Sequence, residues 1–423
     1  MPSFPVIDKV LEIHADEIAF LYAQRKNAIR SPAFYLQDIA HIDNRLSGHI
    51  AGLLIGGESS WKFCEQGLDF EESGEVFTAA NFSIASKDFN KLDAVFEIAG
   101  ETPALLDAIS DAFIWSHYED VKLPLYKLLQ IDGDAKHYVA LKALSGFRAD
   151  PVQYKQYIVN SLNSDNVMLY QNALNSIGLL GLSELKPHLE KAMKSEDDNI
   201  RFSASWAATR FGDALAMDKL KDFVDHPNFG KRALQLVVLQ KDMDNTIEIL
   251  RELYKQDETK RLSIIGLGYI GKANSIQRLI QVMEIPALAR IAGHAFSTIT
   301  GVDMEQAGLV ADQLGVITAG PSEMPEEDSI DLDPDEDLPW PDVEKFKYWW
   351  SLSQNQNRFV ATERYLAGKP FSKLQLQRIL RTGNQQQRIF SANCLGAYDR
   401  NKPIFNVFSP VNYQTASLSH YTN

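Results

Sequence analysis

Cysteine is almost missing from this sequence: Cys64 and Cys394 are the only two in 423 residues, far apart and in no CxxC arrangement. That argues against a disulfide framework or a structural zinc site and fits a reducing, cytoplasmic compartment. Long apolar runs are missing too. The most apolar short stretch, residues 50–55, is far below the roughly 20 residues needed to cross a bilayer. Residues 1–11 have no basic start followed by an apolar run, so no secretory signal is expected. A clustered Lys and Arg footprint is absent, and duplex binding needs one to displace counterions, so direct nucleic-acid binding is not expected. Nucleophile-elbow, P-loop and HExxH patterns are absent, and none of the nine histidines is directly followed by Glu. No catalytic, cofactor-binding or metal-ligating residue is therefore assigned, and the chain reads as a non-enzyme.

What is present is a foldable composition with one biased segment. Hydrophobic residues make up 45% and charged residues 23%, enough to bury a sizeable core, and the length exceeds what one core supports. The formal charge is −14, and ten acids with no Lys or Arg fall within residues 323–342, which leaves −4 for the remainder. Pro321, Pro325, Pro334, Pro339 and Pro341 punctuate the same stretch. Residues 319–342 read as a solvated acidic linker.

The middle of the chain repeats. HYVALKALSGF from His137, YQNALNSIGLLG from Tyr170, RFSASWAATRFG from Arg201, KRALQLVVLQKD from Lys231, KRLSIIGLGYIG from Lys260 and RIAGHAFSTITG from Arg290 share one pattern. Their anchors lie 33, 31, 30, 29 and 30 residues apart. Three and six positions after each anchor come small or apolar residues, from Ala140 and Ala143 to Gly293 and Phe296. Residues three and four apart share a helix face, and small side chains there let a neighbouring helix approach closely. A second amphipathic segment follows the four blocks from Tyr170 to Lys260, and polar turns such as Asn163-Ser164-Asp165-Asn166 precede most blocks and suit helix N-caps.

Two helices per unit of ~30 residues with nothing β-like between them is a solenoid signature. The expected fold is all-α: a HEAT-like α-solenoid, a right-handed superhelix of helix pairs. Residues 1–72 form a divergent helical cap, in which Val6, Val10, Ile13, Ile18 and Leu21 make an apolar stripe on the first helix. The repeat array is assigned to 73–318, the linker to 319–342, and a helical segment with an irregular tail to 343–423. Within 385–396 one more repeat-like helix is expected, anchored on Arg388. Gly266, Gly268 and Gly271 spell GxGxxG, but a dinucleotide fingerprint needs a preceding strand, and here the glycines lie on a repeat helix.

The ends carry a resemblance. HADEIAFL from His14, LQDIAHIDNRLSGHIAGL from Leu36 and Trp61 stand near the N-terminus. LPWPD from Leu338, YWW from Tyr348 and RYLAGKP from Arg364 stand near the C-terminus. With these segments the chain resembles a family of bacterial HEAT-repeat proteins of unknown biochemical activity, often encoded beside type VI secretion components and their effectors. The resemblance implies a scaffold that binds a protein partner, namely a secreted effector for which it serves as accessory or chaperone-like adaptor. The alternatives are a cognate immunity protein that neutralises an effector toxin and a HEAT-scaffold enzyme such as a lyase. No catalytic residues carry over from the family, and no cofactor, membrane, nucleic-acid or small-molecule partner is expected.

Overall fold

The twelve small or apolar positions that define the repeat are all buried, from Ala140 and Ala143 through Ala204 and Ala207 to Gly293 and Phe296. The computed structural model describes residues 7–240, 242–311 and 333–419. Among them are 23 α-helices and one two-stranded antiparallel sheet. The chain divides into two compact units, Met1–Lys219 with Asp399–Asn423, and Leu220–Tyr398.

Unit 1 begins with α1 (Asp8–Ala28), α2 (Leu36–Ile55) and α3 (Glu58–Gly67). Then come α4 (Ser73–Ser86), α5 (Phe89–Ala99), α6 (Pro103–Trp115), α7 (Tyr118–Leu128), α8 (Asp134–Phe147) and α9 (Lys155–Ser161). They are followed by α10 (Val167–Leu180), α11 (Lys186–Ala192) and α12 (Asp198–Arg210). The even-numbered helices α4 to α12 form a first layer in which each packs on the next. The odd-numbered helices form a second layer, where α5, α7, α9 and α11 pack on α4, α8, α10 and α12. Serines on the first layer stay small and satisfied. Ser110 and Ser176 donate to carbonyls one turn back, and Ser145 reaches Ser176 of the next helix at 2.9 Å. Asn166 and Asp197 cap α10 and α12, accepting from backbone N–H groups at 2.8–3.2 Å.

The division between the units falls in α13 (Ala214–Lys221). Unit 2 repeats the plan with α14 (Gly230–Val237), α16 (Asp257–Ile270) and α18 (Pro286–Thr300) as first layer. The second-layer helices α15 (Met243–Tyr254) and α17 (Ile276–Val282) pack on α16 and α18. After α19 (Val343–Ser351) and α20 (Ser353–Gln356), β1 (Tyr365–Leu366) pairs with β2 (Lys369–Pro370), and α21 (Lys373–Thr382) leads into α22 (Gln385–Tyr398). The chain then returns to unit 1 and ends in α23 (Val411–Leu418).

Each unit closes its layer with a segment that does not repeat. In unit 2 the hairpin lies over two helix ends: Ala367 and Gly368 donate to the last carbonyls of α18, and Arg364 donates to Tyr269 and Ile270 of α16 at 2.9–3.1 Å. This fills carbonyls that a helix terminus leaves unpaired. Gly271 and Gly301 have φ of +70° and no room for a Cβ, because the hairpin backbone sits directly on them. In unit 1 the returning chain does the same: the Ile404 N–H donates to Leu179, Arg148 donates to the Ile404 carbonyl and Asn406 to the Gly146 carbonyl. Further along, Arg25 donates to the Phe408 and Ser409 carbonyls while Asp43 accepts from the Val411 N–H.

Several expectations change. α1 packs directly on α4 and residues 399–419 belong to unit 1, while the boundary drawn at 318 lies outside the described residues. The stripe on α1 is rotated: Ile18 and Leu21 are buried, but Val10 and Ile13 are exposed, and Leu11, Ala15 and Tyr22 complete the core face. Val6 lies outside the described residues, as does 312–332 of the acidic segment. The described part of that segment is packed rather than solvated. Asp335 is buried against Arg261, Asp333 pairs with Arg290, and the Trp340 ring lies under the Arg290 guanidinium at 4.7 Å. The tail expected to be irregular contains α23.

Candidate functional site

One face of the first layer in unit 1 carries a polar ladder built from two positions of the repeat. The residues one and five places after each anchor are Tyr138 and Lys142 on α8, Gln171 and Asn175 on α10, and Phe202 and Trp206 on α12. Four apart, each pair projects from the same side of its helix. On α6 the equivalent pair, 31 residues upstream of Tyr138 and Lys142, is Asp107 and Asp111. Phe147, which meets Tyr118 of α7 at 5.1 Å between ring centres, projects from the opposite side of α8. The ladder therefore faces away from the second layer at α8.

The rungs are cross-helix pairs. Asp111 accepts from the Tyr22 hydroxyl at 2.8 Å and from Lys26 at 3.1 Å, both on α1. Asp107 accepts from the Tyr138 hydroxyl at 2.7 Å and from Lys142, which also lies 3.0 Å from that hydroxyl. Gln171 and Asn175 both point amide nitrogens at Ser203 of α12, each at 3.4 Å. The carboxylates and ammonium groups keep about a third of their side-chain surface, 30% for Asp107 and 35% for Lys142.

Burial sets the electrostatics. It raises the Tyr22 and Tyr138 hydroxyls, the latter to about 12, with Asp111 and Asp107 adding to the rise. Desolvation alone would lower Lys142, but Asp107 and Tyr138 hold it above its ordinary value. The two tyrosines thus stay protonated and Lys142 stays charged through the neutral range. Such groups offer hydrogen-bonding edges without a reactive proton. The same arrangement at the N-terminal end is anchored by Tyr22 stacked on Phe77 of α4 at 4.3 Å.

In unit 2 the first layer is covered by the chain itself. α22 crosses it, placing Gln387 near Thr298 of α18, Phe390 stacked on Tyr269 of α16 at 4.3 Å, and Asn393 donating to Gln235 of α14 at 2.7 Å. His294 of α18, beside Gln386, is held neutral by burial, which pushes its pKa down to about 4.

The remaining sequence candidates take structural places. Gly266 and Gly268 lie inside α16 and Gly271 caps it, with no strand before them, and Glu284 pairs with Lys347 at 2.8 Å. Both cysteines are buried, and burial raises both thiols, Cys64 to about 12. Trp349 and Trp350 pack edge-on and tilted against Phe296 and Phe359. Among the described residues no group of three or more His, Cys, Asp or Glu is placed to hold a metal ion, and no helix is long and apolar enough to span a membrane. A cavity of about 500 Å³ opens beside α8, lined by Asp134, His137, Tyr157 and Ser164 among others, with His137 edge-on to the Tyr157 ring at 6.4 Å. No site residues were expected from the sequence; the ladder's signal there is a polar pair four apart, one place past the His137 and Tyr170 anchors only.

In comparison with known proteins, residues 156–240 match the family model of HEAT repeats. The matched span runs from α9 to α14 and includes the Gln171, Asn175 and Ser203 rung. No curated protein and no solved structure matches the chain.

Proposed function

We propose that this chain is a cytoplasmic protein-binding scaffold that holds a secreted effector of a type VI system before export, acting as an adaptor. The observation that carries the reading is the ladder in unit 1. Its side chains are fixed by neighbours on the next helix before any partner arrives, so little rotamer entropy is lost on contact. Stacked helix pairs give a broad surface of this kind and commonly serve protein interaction. The segments at His14, Leu36, Leu338, Tyr348 and Arg364 support the link to secretion through the resemblance they carry.

The test is expression of this chain with candidate effectors of a type VI system. An adaptor co-purifies with one of them, and deleting it stops secretion without making the effector toxic to its producer. Rescue of growth from a toxic effector, with secretion intact, assigns the immunity role instead. Absence of any stable complex, together with turnover of a small molecule, sinks both.

A further inference from the structure

The nine histidines show no ligand spacing along the chain, yet the fold sets two of them face to face. His14 of α1 and His49 of α2, 35 residues apart, bring their Nδ1 atoms to 3.1 Å, with ring planes 73° apart. Both side chains are half-buried, so the pair is reachable from solvent. The seat is shaped for it: a Cβ on Gly52 of α2 would fall 2.4 Å from the His14 imidazole, so the ring lies on bare helix backbone. Glu17, one turn beyond His14, pairs with Arg45, one turn before His49, at 3.6 Å. Their charges offset each other at the edge of the seat.

We infer that His14 and His49 chelate a late first-row divalent cation, Zn²⁺ being the reference case, and that the bound ion ties α1 to α2. Zinc–imidazole bonds run about 2.0–2.1 Å, and two of them closing on nitrogens 3.1 Å apart enclose an angle of about 100°, close to tetrahedral. Both rings bind as neutral imidazoles with their protons on Nε2, and water or a partner's side chain completes the shell.

Calorimetric titration of the full, chelator-stripped chain with ZnCl₂ tests this. One equivalent is expected to bind in the micromolar range, and His14→Ala or His49→Ala is expected to weaken it about tenfold or more. His41→Ala, on the same helix but not in the pair, leaves the affinity unchanged. Equal affinity in wild type and both pair variants overturns the proposal, as does the absence of binding in wild type. Should a variant fail to fold, imidazole ¹⁵N spectra of the wild-type chain decide. Zn²⁺ is expected to shift the Nδ1 resonances of His14 and His49, and unmoved resonances mean the pair holds a shared proton only.

Discussion

Arg25 and Asp43 show how single residues bind distant parts of unit 1. Their ion pair, 2.6 Å long with side chains 8% and 10% exposed, also bonds to the backbone at Phe408, Ser409 and Val411. Breaking a buried pair strands the remaining charge, so Asp43→Ala is expected to cost about 3–5 kcal/mol in chemical unfolding. His294 sets a pH dependence. Its folded pKa of about 4 lies below the ordinary 6.5, so the unfolded chain takes up the proton first. Stability is then full above pH 6.5 and falls as pH drops toward 4, by up to about 3 kcal/mol. His294→Gln is expected to flatten that part of a stability-versus-pH curve; an unchanged slope assigns it to other groups.

At the scale of elements, the contacts between first-layer helices leave no spare volume. Ala204 and Ala207 are fully buried, and Gly178 of α10 packs on Ala207. Ala204→Leu should therefore overpack the contact, lowering stability by roughly 1–3 kcal/mol in thermal or urea unfolding. The segment after residue 332 behaves as packed structure as well. Asp335→Asn removes the charge that Arg261 grips and is expected to cost about 1–3 kcal/mol, where a solvated tether would show nothing. Here sequence and fold part company for a physical reason. The helices were readable because burial imposes a period on them, and every small position of that period is indeed covered. The hairpin at Tyr365 and the strap at Ile404 have no period: they are extended backbone held by helix-end carbonyls. Only the glycines beneath them, such as Gly271 and Gly301, left a trace, and those read equally well as ordinary caps.

At the scale of the whole molecule, the repeat explains both the stack and its open face. Positions three and six past each anchor are spent on packing, while on α8 and α10 positions one and five line the ladder. The rungs stayed hidden in the sequence because each is made across two helices, Asp107 with Tyr138 or Asn175 with Ser203, about thirty residues apart. Unit 2 lays its own α22 over the first layer, whereas the unit 1 ladder keeps about a third of its charged side-chain surface in solvent. The most direct test of the scaffold claim is site-specific photo-crosslinking in cells, with the reactive side chain placed at Asn175 on the ladder or at exposed Glu190 on α11. A discrete adduct containing a secreted effector is expected from position 175 and not from 190; effector adducts from 190 alone would contradict the account.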